Sequence, residues 1–153
     1  MYQSPPRGCL GALPSPQIMA LYIAEITVPA GTTEDNPVTQ RVTIKKDIIT
    51  KISVRIPPGH FAKTGIAFYY GIKQIAPKPE GTWIKGDAEV VEFELFYEMP
   101  EVPGDITIKA YNTAEDYSHT FYVRIEALDK WVAMPWMLIK KFVDAFKVLI
   151  GLD

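Results

Sequence analysis

The feature that most constrains the fold is an alternation of apolar and polar side chains that recurs from residue 20 to residue 128. In the segment 89–98, Val91, Phe93, Leu95 and Tyr97 alternate with polar or outward-facing residues. Alternation with a period of two is typical of a strand with one buried face and one wet face. The same pattern predicts strands at 21–28, 38–45, 48–56, 65–75, 105–111 and 118–128. The aromatic segment 65–75 is either one long strand or two strands with a bend at Gly71.

Stretches rich in Pro, Gly, Asn and Asp separate these segments, and such residues form turns. The turn stretches are 29–37, 57–60, 77–81, 99–105 and 112–117. Seven or eight short strands with no helical period between them predict an all-β fold, an antiparallel β-sandwich of jelly-roll or immunoglobulin-like type. The half-polar strands favour antiparallel sheets over a buried parallel sheet. The strand order stays open.

The predicted sandwich, residues 19–128, follows a proline-rich N-terminal segment. Residues 1–18 hold four prolines and two glycines and show no periodicity, so we expect a flexible arm. The arm is either a loose tail or a segment that orders against a neighbouring subunit. A third alternative is that Met19 is the true start, because regular patterning begins just after it.

Residues 129–153 change to a helical period and predict an amphipathic α-helix. Asp129 is a plausible N-cap, Pro135 either kinks the segment or opens a second helix, and Gly151 is a natural stop. The predicted interaction residues are Trp136, Leu138, Ile139, Phe142, Val143, Phe146, Leu149 and Ile150. The charged residues on the other side are Lys140, Lys141, Asp144 and Lys147. The apolar face needs a cover, which is the chain's own sandwich, another subunit or a membrane surface.

Composition argues against several classes of protein. A formal net charge of -2 argues against a general nucleic-acid binder. The single cysteine, Cys9, excludes an intrachain disulfide. The sequence shows no basic start followed by an apolar core and no run of about 18 uncharged apolar residues, so we expect neither a signal peptide nor a transmembrane helix.

The sequence offers little for catalysis, and we predict no catalytic, cofactor-binding or metal-binding residue. His60 and His119 are the only histidines, and no common zinc spacing is present. We interpret His60 as a surface or loop-ordering residue and His119, in register with Phe121, as a packed or interface residue. The acidic turns are interpreted as solvated. Glu92, Glu94 and Glu98 point outward from one strand. They predict either a sheet face in contact with water or an edge strand protected by its charges against pairing with other chains.

Three stretches carry a family resemblance: 24–44, 55–87 and 108–128. They contain "ITVPA", "PPG", "WIKGD" and "AYN" followed by a polar loop and "HT". Together they resemble small uncharacterised β-sandwich proteins of viruses, proviruses and metagenomic contigs, often from thermophiles. The resemblance implies a structural role in the virion, as a capsid, decoration or portal-adjacent subunit, and supplies no active-site residues.

We therefore expect a non-enzymatic structural subunit that self-associates or binds other virion proteins, without a cofactor. The expected location is the virion, with the cytoplasm as the alternative. Two other functions stay open: a carbohydrate- or surface-binding module, and a peripheral membrane protein anchored by the C-terminal helix. The binding module predicts that four tyrosines converge in one groove, namely Tyr69, Tyr97, Tyr111 and Tyr122.

Overall fold

The computed structural model of the chain describes residues 19–151, apart from the side chains of residues 133, 134, 136 and 137. The arm predicted over residues 1–18 lies outside the described residues. Eight strands and one helix follow one another along the described chain. Their bounds are β1 Met19–Val28, β2 Val38–Ile44, β3 Ile48–Ile56, β4 Thr64–Tyr70, β5 Lys73–Ala76, β6 Glu89–Glu98, β7 Gly104–Asn112, β8 His119–Leu128 and α1 Lys130–Leu149.

The strands form two four-stranded antiparallel sheets, which confirms the predicted β-sandwich. The first sheet has the order β1-β8-β3-β6 and the second has the order β2-β7-β4-β5. Consecutive strands mostly cross from one sheet to the other, as in a jelly roll, so the structure decides between the two predicted sandwich types. The segment 65–75 is two strands, β4 and β5, joined at Gly71, where a positive φ of 59° suits a residue without a Cβ.

The core lies between the sheets and is built from the inward residues of every strand. In β8, Phe121, Val123, Ile125 and Ala127 are each 0% exposed. In β6, which is an edge strand, the inward residues are only half-buried. The reason is that β5, the edge strand of the facing sheet, has only four residues. A cleft of about 360 Å³ between these edges is lined by Ile75, Ile84, Val91, Phe93 and Leu95 among others.

The connector between β5 and β6 is held by one buried amide. The side chain of Gln74 donates to the carbonyls of Pro77 and Thr82, at 2.9 Å each, and accepts from the N–H of Gly81 and the hydroxyl of Tyr69. Every hydrogen-bonding position of this amide is therefore used, which offsets the cost of burying it.

The same connector covers part of the outer face of the second sheet. The Trp83 ring meets the Tyr111 ring edge-to-face at 4.9 Å. Gly65 lies beneath them, where an added Cβ would stand 2.4 Å from Tyr111 Cε1 and 2.9 Å from Trp83 Cβ. Only glycine fits this position without a shift of the two rings, so the site requires glycine for packing rather than for backbone freedom.

The chain enters β1 and leaves β8 at the same end of the sandwich. Met19, the first residue of β1, pairs with Leu128, the last residue of β8. Residues 1–18 and α1 are therefore both attached at this end, which we call the tail pole. Helix α1 therefore begins beside the start of β1, at the tail pole.

Candidate interaction surface

The first turn of α1 is fixed to the sandwich by the turn between β2 and β3. Asp129 has extended backbone angles and stands at the N-cap position, as predicted. Its carboxylate makes no cap, however, and accepts from Lys46 Nζ at 2.9 Å. Asp47 supplies the cap instead, because its Oδ2 accepts from the backbone N–H of Lys130 at 2.7 Å. The cap comes from a residue 83 positions away, which no local signal at the helix start reveals.

A second contact joins the helix base to β6. Lys130 Nζ lies 2.7 Å from Glu98 Oε1, and both side chains are half-exposed. The hydrogen bond and the charge of Glu98 raise the pKa of Lys130. An exposed pair of this kind contributes little to stability. The pair nevertheless places the first residue of α1 beside the last residue of β6.

The helix is continuous over 20 residues, a length of about 30 Å. Pro135 lies inside it, so no second helix begins there. Because proline has no N–H, the carbonyl of Trp131 lacks its usual helical partner. Gly151, with a φ of 73°, follows the last turn and ends the helix, as predicted.

The apolar face of α1 is not covered by the sandwich, residues 19–128. Seven of the eight predicted interaction residues are exposed, from 44% for Val143 to 85% for Leu149. The exposed residues are Leu138, Ile139, Phe142, Val143, Phe146, Leu149 and Ile150. The eighth, Trp136, has a side chain outside the described part of the structure. The sandwich therefore leaves this face open, and the two other covers remain, a second subunit or a membrane surface.

The two histidines meet at the opposite end of the sandwich from the helix. The ring of His60 lies 4.5 Å from that of His119 and 4.9 Å from that of Phe121. His60 Nδ1 is 2.7 Å from Thr64 Oγ1. The expectation of a surface position for His60 is wrong, because the residue is 1% exposed. The loop 57–64 folds inward at this point, and the ring serves as its buried anchor.

The surroundings of His60 favour its neutral form. Burial lowers the pKa of His60, and the charge of His119 lowers it further. Asp87 braces the same loop by accepting from the N–H groups of Gly59 and Phe61, at 2.8 and 3.1 Å. These backbone bonds, with that of Phe61 the largest cause, lower the pKa of Asp87. A histidine beside a threonine hydroxyl resembles a base with its nucleophile, but Thr64 is 0% exposed, so a substrate has no access to the pair.

Two of the three acidic turns contact protein groups, while Glu115 and Asp116 in the third are exposed, as predicted. Glu34 lies 3.8 Å from Lys85, and Asp87 binds the loop described above. Among the residues the structure describes, no group of three or more His, Cys, Asp or Glu side chains is placed to hold a metal ion.

The four tyrosines do not converge in a groove. Tyr111 is buried under Trp83, and Tyr97 packs between the sheets, 6.4 Å from Tyr70. Tyr69 lies beside Lys109, in the second sheet, and Tyr122 is exposed on the first sheet. The aromatic platform that a carbohydrate-binding module needs is therefore not formed by these residues.

Within residues 19–151, no helix combines the length and the apolar character needed to cross a membrane.

Comparisons with known proteins give a likeness of fold. No protein-family model matches the chain, and no curated protein matches its sequence. A solved structure of Bacillus endospore appendages, which are described as disulfide-linked pili, is similar with a TM-score of 0.36 and 16% identity, over 73% of this chain and 89% of that chain. A structure of infectious bursal disease virus, Gt strain, is similar with a TM-score of 0.34 and 11% identity, over 72% of this chain and 32% of that chain. At these values neither likeness carries a function to this chain.

Proposed function

We propose that this chain is a non-enzymatic structural subunit of a virus particle and that it works by self-association. The observation that carries self-association is the uncovered apolar face of α1. The sandwich buries its own core, whereas the helix exposes seven large apolar side chains along one face. A face of this kind on a helix is unfavourable in water and marks a contact surface.

The free energy gained by burying the apolar face can be compared with the free-energy cost of association. Burying one Val, Leu, Ile or Phe side chain contributes about 1.5–3 kcal/mol, so seven contribute roughly 10–20 kcal/mol as an upper bound. Bringing two proteins together costs about 4–15 kcal/mol in lost translational and rotational freedom. The upper end of this gain exceeds the cost, so covering the apolar face is of the order of magnitude that association needs.

The position of α1 suits a building block. The base of the helix is joined to the sandwich by Asp47 and Glu98, so association through α1 brings the sandwiches together at their tail poles. The jelly roll itself does not choose the function, because viral capsid domains, lectins and cupins all use it. The assignment to a virus particle is supported by the sequence resemblance over residues 24–44, 55–87 and 108–128.

Self-association is tested by a charge on the apolar face with a matched charge on the other face. Phe142→Glu places a carboxylate in the centre of the face, while Val148→Glu places one among the lysines of the polar side. Analytical ultracentrifugation over a range of protein concentrations gives the native mass of each. We expect wild type and Val148→Glu to be oligomeric and Phe142→Glu to be monomeric. A wild-type monomer at the highest concentration contradicts self-association.

The virus-particle assignment has a separate test. Particles purified on a density gradient from a culture that carries the gene are analysed by mass spectrometry. We expect peptides of this chain in the fraction that holds packaged nucleic acid. Peptides confined to the particle-free fractions contradict the assignment and leave self-association standing.

A membrane surface is the second candidate cover, because α1 carries three lysines against one aspartate beyond Pro135 and an exposed Trp131. Flotation of the full chain with vesicles of anionic phospholipid tests it. Binding that Phe142→Glu abolishes and Val148→Glu retains favours the membrane. Wild-type protein that stays at the bottom of the gradient contradicts it.

A further inference from the structure

We infer that α1 packs against the α1 helices of at least two further copies, in a bundle of three or more identical helices. The inference rests on the proposed self-association and names its partner and geometry. Two features of the apolar face carry it, namely the spacing of its central residues and its width.

The centre of the face has the spacing of a helical seam. Ile139, Phe142, Phe146 and Leu149 follow one another at intervals of three, four and three residues. This is the a and d pattern of a heptad, in which each side chain inserts between side chains of a facing helix. All four are exposed, and none has a partner within the described chain that covers it. A seam built on this repeat fits another helix with the same repeat.

The flanks of the seam are apolar as well. Leu138 and Ala145 lie on one side of it, and Val143 and Ile150 lie on the other. With 3.6 residues per turn, the apolar arc from Ala145 to Val143 spans about 160°. Two-stranded coiled coils usually place charged residues at these flanking positions, which stay in water. Here the charges lie outside the arc, so a pair of helices leaves both flanks exposed.

A pair of helices in contact along the seam leaves the flanking side chains in water. In a bundle of three or more, each helix meets two neighbours, and both flanks become part of the contact. The broad arc is thus used fully only when several copies meet.

The first measurement is the number of subunits. Wild-type chain is mixed with a tagged copy of the same chain, the mixture is allowed to exchange, and native mass spectrometry counts all oligomeric species, mixed and unmixed. We expect four or more species, since a trimer gives four and larger assemblies give more. Three species indicate a dimer, which overturns the bundle and leaves self-association intact. A single monomeric mass for each copy overturns both.

A double variant tests the flanks. Leu138→Glu with Val143→Lys leaves the seam unchanged and places opposite charges where they can pair between two parallel helices. If the flanks are buried in a bundle, the variant falls to a dimer, because charges are tolerated at the edges of a two-helix seam and not inside a larger bundle. An unchanged subunit number in a folded variant, with Val148→Glu as the control, shows exposed flanks and overturns the inference. Should the variant fail to fold, the subunit count of the wild type still decides.

Discussion

Strand β8 and helix α1 are neighbours in the chain and are both rich in apolar residues, yet they bury them differently. In β8, Phe121 is 0% exposed, whereas in α1, Phe142 is 76% exposed. The facing sheet covers β8, whereas nothing in the described residues 19–128 covers the apolar face of α1. The comparison teaches that the centre of the sandwich buries its own apolar residues, while the helix has an apolar surface that the sandwich does not bury.

The largest expected effect comes from truncating the same residue type in the two regions. Phe121→Ala leaves a cavity in the core and should lower the free energy of unfolding by about 3–5 kcal/mol. Phe142→Ala should change it by no more than about 0.5 kcal/mol in the monomer, because the ring is exposed. Urea unfolding at low protein concentration, followed by circular dichroism, measures both. A similar loss in the two variants would mean that α1 packs on its own sandwich and would break the comparison.

An intermediate effect is expected at the connector of the sandwich. Gln74→Ala removes a buried amide and leaves the carbonyls of Pro77 and Thr82 without their partner. Because buried unpaired groups are costly, the free energy of unfolding should fall by about 3 kcal/mol. Tyr69→Phe, which deletes one bond to the same amide, should cost about 1 kcal/mol. Equal effects in the two variants, measured by thermal and urea unfolding, would show that the amide does not hold the loop.

The smallest effect is a pH dependence that belongs to the sandwich alone. Burial lowers the pKa of His60 in the folded state below its ordinary value of 6.5. As the pH falls, His60 therefore takes up a proton in the unfolded chain before it does so in the folded chain. The free energy of unfolding is therefore greatest above pH 6.5 and falls as the pH drops below it, until folded His60 is protonated too. His60→Gln should flatten this slope between pH 7 and pH 5, as measured by urea unfolding. A slope that persists unchanged in His60→Gln would assign it to another group.

Much of the sandwich was predictable from the sequence, because a strand with one buried face records its orientation in every second residue. The strands, the turns between them and the end of the helix at Gly151 all follow from local rules. The burial of His60 was not predictable, for the opposite reason. A histidine after "PPG" carries no local signal of burial, and the ring is buried by Thr64, His119 and Phe121, which the fold brings to it.

The apolar face of α1 was also predictable, residue by residue, since helical periodicity is local. The exposure of this face was not predictable, because helical periodicity shows that a face is apolar but does not show which part of the protein packs against it. The cap from Asp47 was not predictable either, since the sequence around the helix start does not indicate a contact with a residue 83 positions away.

By itself, then, the sequence determined the kinds of elements, their approximate bounds and which side of each is apolar, because side-chain period follows backbone geometry. The tertiary structure alone decided the jelly-roll order, the burial of His60 and the open face of α1. Each of these depends on contacts between residues that are far apart in the sequence. The pattern of neighbouring residues does not show which of these distant segments pack together.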